Sequence, residues 1–143
     1  MVVREARDQD EVDAALELRR RVFCGEQGVT PEADRDGRDA DAMHLVAVDG
    51  RVVIGTCRLL IDGEWARLGR MAVEARLRGR GIGADLLDAA ERAALRAGAL
   101  RVTLHAQAAA ERLYERGGYE PRGERFIEEG IEHVRMEKCL SYG

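Results

Sequence analysis

The sequence predicts an α+β domain built on a mixed, mostly antiparallel sheet of about seven strands, flanked by helices and containing one parallel strand pair. Three observations predict it. Apolar, β-branched runs at 43–48, 51–61 and 65–73 are separated by Asp49-Gly50 and Asp62-Gly63, and Asp-Gly between such runs is a strong hairpin signal. After the third run, Ile82, Leu86, Leu87, Ala90, Ala93, Ala94 and Ala97 recur at helical spacing, and a strand-like run at 100–106 follows. A helix between two strands implies a parallel pair joined by a right-handed crossover. Two closing strands are expected at 119–125 and 131–138.

The elements follow in order. Residues 2–6 form a short strand, and Asp8, Asp10 and Glu11 then supply the acids that favour a helix N-terminus. Val12, Ala15, Leu16, Leu18, Arg19, Val22 and Phe23 mark an apolar helix face running to about Cys24, with Gly25 or Gly28 as the stop. Residues 29–42 lose this period. Pro31, Gly37 and the acids Glu32, Asp34, Asp36, Asp39 and Asp41 read as a polar loop or one short helix, either an electronegative lip that attracts a cationic amine or a solvated loop. A calcium loop is excluded, because counting from Asp34 places Arg38 and Leu45 at ligand positions. Gly98 ends the long helix, and a second alanine-rich helix over 108–116 stops at Gly117-Gly118.

At 143 residues with 45% hydrophobic content, one domain with one substantial core is expected. The formal net charge of -4 argues against a nucleic-acid partner, so any anion site must be local. Lys138 is the only lysine, and since a coding bias toward arginine explains that equally well, isolated arginines carry little weight. Cys24, Cys57 and Cys139 are far apart and odd in number, which fits reduced thiols in a cytoplasmic protein. No apolar run has signal-peptide or membrane-spanning character, so no membrane partner is expected.

The chemistry concentrates at 78–84. Gly79, Gly81 and Gly83 leave main-chain N–H groups unshielded at the start of a helix, which is a phosphate-binding arrangement, and Arg78 and Arg80 add positive charge. A dinucleotide fingerprint would need an acid at the end of the next strand, where Leu104-His105-Ala106-Gln107 offers none, and a nucleotide P-loop would need Gly-Lys-Ser/Thr. The stretch resembles instead the acyl-CoA signature of the GNAT superfamily of N-acetyltransferases, Arg/Gln-x-x-Gly-x-Gly/Ala, met by Arg78, Gly81 and Gly83. Met71-Ala72-Val73 ends the strand before it. Further on, Ala110-x-x-Leu113-Tyr114-x-x-x-Gly118-Tyr119 resembles the family's later block. Leu18-Arg19-x-x-Val22-Phe23-x-x-Glu26-Gln27-Gly28-Val29, the acidic loop ending near His44, Ala106-Gln107 and Glu129-Gly130-Ile131-Glu132-His133 are similar to the ElaA-like branch. Glu132 stands where members more often carry proline, and Cys24 where they carry an aliphatic residue.

The resemblance implies one GNAT-like domain over 1–143, with the parallel pair splayed, acetyl-CoA as acyl donor, no metal, and a small-molecule or peptide amine as acceptor. Main-chain groups around Met71, Ala72 and Val73 would pair with the pantetheine arm. Amides of Gly79, Arg80, Gly81, Ile82, Gly83 and Ala84, with the side chains of Arg78 or Arg80, would hold the pyrophosphate. Gln107 stands where many relatives place a cofactor-contacting asparagine. Tyr114 is the candidate acid for the leaving thiolate, since a phenol stays protonated at neutral pH. Glu26, His44, His105, His133 or water is the base, with His44 and His133 foremost because they lie in the ElaA-like blocks, and histidine suits the pH range. Glu26 and Gln27 are candidate acceptor contacts. A homodimer is compatible with this reading, and so are two non-enzymatic alternatives: an acyl-CoA-binding module without an acceptor site, and an interaction domain using the splayed sheet edge.

Overall fold

In the computed structural model, which describes residues 1–141, both Asp-Gly turns close as expected. Strands β2 (Met43–Asp49), β3 (Val52–Asp62) and β4 (Trp65–Val73) form an antiparallel meander. With β1 (Val2–Glu5), β5 (Arg101–Gln107), β6 (Glu120–Glu128) and β7 (Ile131–Cys139) they make a seven-stranded sheet in the order β1-β2-β3-β4-β5-β7-β6. Every neighbour pair is antiparallel except β4 and β5. That parallel pairing runs from Trp65 opposite Arg101 to Leu68 opposite Leu104 and then stops, although both strands continue. The sheet therefore splays at its centre.

A bulge accompanies the splay. Thr56 faces Ala72 and Arg58 faces Gly69, so Arg70 and Met71 together oppose Cys57. Arg70 takes φ 56°, a left-handed conformation that costs a non-glycine residue about 1–2 kcal/mol. Side chains on a strand alternate in face, and the extra residue shifts the alternation: Ala66 and Leu68 before it, and Met71 and Val73 after it, all pack with one core cluster. No sequence period announces this.

Helix α1 (Gln9–Arg19) begins with Asp8 accepting from the Glu11 N–H at 2.9 Å, while the Glu11 carboxylate accepts from the Arg7 N–H and from both terminal nitrogens of Arg4. These contacts hold the Glu11 carboxyl down at about 2. Ala15, Leu18 and Val22 bury one face against Val46, Val48, Val53 and Ala72. The helix widens into a π-helical segment over Arg20–Glu26, in which the Gln27 N–H reaches back to Val22 O at 3.2 Å, and Gly28, one of its two expected stops, follows at φ 72°. The loop that follows contains a one-turn helix, α2 (Pro31–Asp34).

Helix α3 (Ile82–Arg96) covers the opposite face. Leu86, Leu87, Ala90, Ala93 and Ala94 pack with Cys57, Leu59, Leu68, Leu104 and Met136, each large side chain contributing about 1.5–3 kcal/mol by leaving water. The expected helix over 108–116 is a 3₁₀ turn, Ala108–Ala110, running into α4 (Glu111–Arg116). No helix among the described residues is long and apolar enough to cross a membrane.

Candidate active site

The glycine turn lies where β4 hands the chain to α3. Gly79 and Gly81 take φ 80° and 85°, and left-handed residues at alternate positions swing successive main-chain N–H groups to one side. A Cβ on either glycine would meet nothing within 4 Å, so open space lies beside the turn. Among the described residues no side chain caps the start of α3, which leaves its first N–H groups available to an anion. A groove of about 570 Å³ opens there, lined by Val73, Arg78, Gly79, Gly81, Ile82, Gly83 and Ala84 together with α4 residues. Exposed Arg80 stands between the two left-handed glycines and makes no ion pair among the described residues. This donor set fits a pyrophosphate.

A second cavity, of about 370 Å³, is lined by Met71, Leu104, Gln107, Tyr114 and His133 around the splay, and by the loop after α1. Met71 lines this cleft and Val73, two residues on, lines the groove, so the unpaired end of β4 borders both. Ala72 between them lines neither, its side chain packing with the α1 core.

Tyr114 is buried, its ring edge-on to Tyr119 at 6.0 Å. Burial first, and then the neighbouring Cys57 thiol, raises its pKa well above the usual phenol value. His133 is buried and stacks on Phe126, with Nδ1 2.7 Å from the carbonyl of Ile131. A carbonyl only accepts, so Nδ1 carries a proton, and in the neutral ring the lone pair is then on Nε2. His105 lines the same cleft, its Nδ1 3.2 Å from Glu128.

Three other expected site residues lie elsewhere. His44 is buried with Nε2 donating to Asp39 O at 2.9 Å, and it is absent from the lining of the cleft. Glu26 grips Arg78 at 2.8 and 3.1 Å, while Arg78 Nε donates to Val73 O at 3.0 Å. Gln27 and Gln107 exchange amide hydrogen bonds at 3.2 and 2.9 Å. The end of the π-helical segment is thereby tied to both sides of the splay.

The acidic loop is not an electronegative lip. Three of its five carboxylates turn inward onto three arginines, while Glu32 and Asp41 stay exposed: Arg19 binds Asp34 and Asp39, Arg58 binds Asp36 and Asp39, and Arg70 reaches Asp36 and the carbonyls of Ala33 and Asp34. Arg58 holds the Asp36 carboxyl well below its ordinary range. Burial alone would raise Asp39, and Arg19 and Arg58 outweigh it, leaving its pKa lowered. A carboxyl whose folded pKa is depressed contributes stability above its unfolded pKa and loses it as pH falls toward the folded one. The melting midpoint is therefore expected to hold steady to about pH 5 and drop between about pH 4 and 2. Arg58→Gln should lower the neutral-pH midpoint by about 5 °C, for charge-assisted bonds worth about 1–2 kcal/mol, and flatten that drop, as circular dichroism melts at each pH would record.

Arg58, Arg70 and Glu128 line the cleft and were not singled out in the sequence, nor was the pairing of Arg19 with the loop. The available signals were an arginine on the apolar face of α1 and another inside the buried run of β3.

Comparison with known proteins agrees with the geometry. The profile of the acetyltransferase (GNAT) domain matches residues 6–140. The uncharacterized N-acetyltransferase YjcF of Bacillus subtilis is 31% identical over 93% of this chain and 96% of its own. Among solved structures, an acyl-CoA N-acyltransferase from Pseudomonas aeruginosa is 29% identical with a TM-score of 0.82, covering 96% of this chain and 97% of that one. Escherichia coli ElaA is 26% identical with a TM-score of 0.86, covering 96% and 99%. With a splayed parallel pair, a glycine turn at a helix N-terminus and a family match across nearly its whole length, the chain belongs to the GNAT acetyltransferases and is ElaA-like among them.

Proposed function

We propose that this protein is an acetyl-CoA-dependent N-acetyltransferase that moves the acetyl group to a primary amine of a small molecule or peptide by direct attack. The observation that supports the reading is that the groove at the glycine turn and the Tyr114–His133 cleft both border the end of β4 that has left β5. When bound, acetyl-CoA would supply an activated thioester carbonyl and a sulfur leaving group. Main-chain amides from Gly79 to Ala84, with Arg80, would neutralise its pyrophosphate, and the free main-chain edge at Met71 and Val73 would align its extended amide arm. Val73 O already accepts from Arg78 Nε, and its second lone pair would remain for the arm.

In the transfer the nitrogen–carbon bond would form as the carbon–sulfur bond breaks, with His133 Nε2 to accept the proton the amine loses and Tyr114 to give its phenolic proton to the departing sulfur. His44, bonded to the loop carbonyl, would hold the loop and not the substrate. Gln107 and Gln27 would set the width of the splay.

An amine panel with acetyl-CoA, followed by free-thiol release, tests the activity. Binding of CoA without release across polyamines, amino sugars, amino acids and peptides would support a non-catalytic acyl-CoA module instead. For the base, His133→Gln is expected to lower kcat/KM by on the order of tenfold, at the low end for general-base catalysis because water can take an amine proton. The loss should be larger at neutral than at alkaline pH, where the amine is already uncharged. A uniform loss at all pH values would remove the base role.

A further inference from the structure

We infer, resting on the acetyltransferase reading, that the preferred acceptor is an aminocarboxylate, a molecule whose primary amine and carboxylate are several bonds apart, and that Arg67 selects it. The inference comes from accounting for fixed charge in the cleft. Four arginines line it: Arg38, Arg58, Arg67 and Arg70. Arg58 and Arg70 are consumed by Asp36 and its loop. Arg38 reaches Asp41 at 4.0 Å. Arg67 makes no ion pair with any described carboxylate.

Arg67 leaves β4 on the face opposite Ala66 and Leu68, which point into the α3 core. It lies opposite Thr103, still within the paired part of the parallel ladder, so its backbone is held rigidly. The cleft also carries an unmatched negative charge. Glu129 makes no ion pair among the described residues and occupies the β6–β7 turn, where it and Gly130 both have positive φ. Beside it, Glu128 faces His105. The cleft is therefore dipolar, with the unpaired guanidinium of exposed Arg67 on β4 and carboxylates on the hairpin that carries His133.

An acceptor lying along β4 would place its amine at the splay, near Tyr114, His133 and Glu129, and its anionic group toward Arg67. At about 3.3 Å per residue, less the bulge, Arg67 and Met71 are about 10 Å apart along the strand, and the arginine stem closes part of that distance. A span of this size does not suit an α-amino acid, in which the two charges are adjacent. It suits an amine carried at the far end of a short chain from its carboxylate. Polyamines, by contrast, would bring a second cation to Arg67.

The test compares δ-aminovalerate, its carboxamide and cadaverine, which share one carbon chain and one reacting amine. Wild-type enzyme should give the highest kcat/KM on δ-aminovalerate. Arg67→Gln should raise KM for that substrate by about 10- to 100-fold, the loss of one charge-assisted pair, while leaving kcat and the carboxamide kinetics nearly unchanged. Arg67→Glu should reverse the order in favour of cadaverine. Equal kcat/KM on all three substrates, or an Arg67→Gln enzyme with unaltered preference, overturns the inference and leaves the acetyltransferase reading standing. No thiol release from any amine, with CoA still bound in calorimetry, would instead overturn the parent reading.

Discussion

Gly81→Glu is expected to abolish acetyl-CoA binding, with at least a hundredfold loss of affinity by calorimetry. Two effects act together. Gly81 is at φ 85°, so any side chain there pays about 1–2 kcal/mol in backbone strain and tends to pull the turn out of shape. The Cβ would also project into space where no described residue beyond its chain neighbours comes within 4 Å, and a carboxylate on it would occupy the volume proposed for the pyrophosphate. Like charges so close in a partly desolvated site repel by several kcal/mol. The fold should survive, because an acid at a helix N-terminus is favoured by the helix dipole, and that offsets part of the strain. Gly81→Ala separates the two effects. It carries the strain without the charge and should lose only about tenfold in affinity. Unchanged affinity in Gly81→Glu would sink the assignment of the turn.

The turn was legible in the sequence because its chemistry is local. Left-handed glycines, a following helix and a preceding strand are all contiguous, and the Asp-Gly hairpins were legible for the same reason. What escaped was long-range. The bulge at Arg70 is set by where β3 and β4 settle their register, and an arginine in a left-handed conformation has no propensity to announce it. The arginine clamp escaped for a different reason. Composition reads Asp34, Asp36 and Asp39 as net negative charge, but their effect depends on Arg19, Arg58 and Arg70, which come from three separate elements. Arg19 was visible on the apolar face of α1, and its burial at 1% exposure shows that such a position demands a buried partner. Glu26 and Arg78 were singled out in the sequence for separate roles, and their mutual ion pair depends on the π-helical segment that carries the chain from α1 toward Gly28.

Tyr114→Phe should reduce kcat by about 10²- to 10³-fold with little change in acetyl-CoA affinity, measured as steady-state thiol release with the preferred amine. Phenylalanine preserves the edge-on contact with Tyr119 and the burial of the ring, so packing is retained and only the proton donor is lost. A donor is needed because an alkyl thiolate is a basic leaving group. Burial pushes the Cys57 thiol up to about 12, and Cys57 is near enough to raise Tyr114 in turn. The raised pKa of Tyr114 also keeps the donor neutral through the alkaline range, so wild-type kcat should show no loss from its ionisation up to pH 10. The decisive comparison uses an acetyl thioester of an aromatic thiol, whose thiolate departs without assistance. An acid role predicts that Tyr114→Phe loses far less on this donor than on acetyl-CoA. A tyrosine that merely packs against the site would lose equally on both, because misplacing the carbonyl slows either reaction to the same extent.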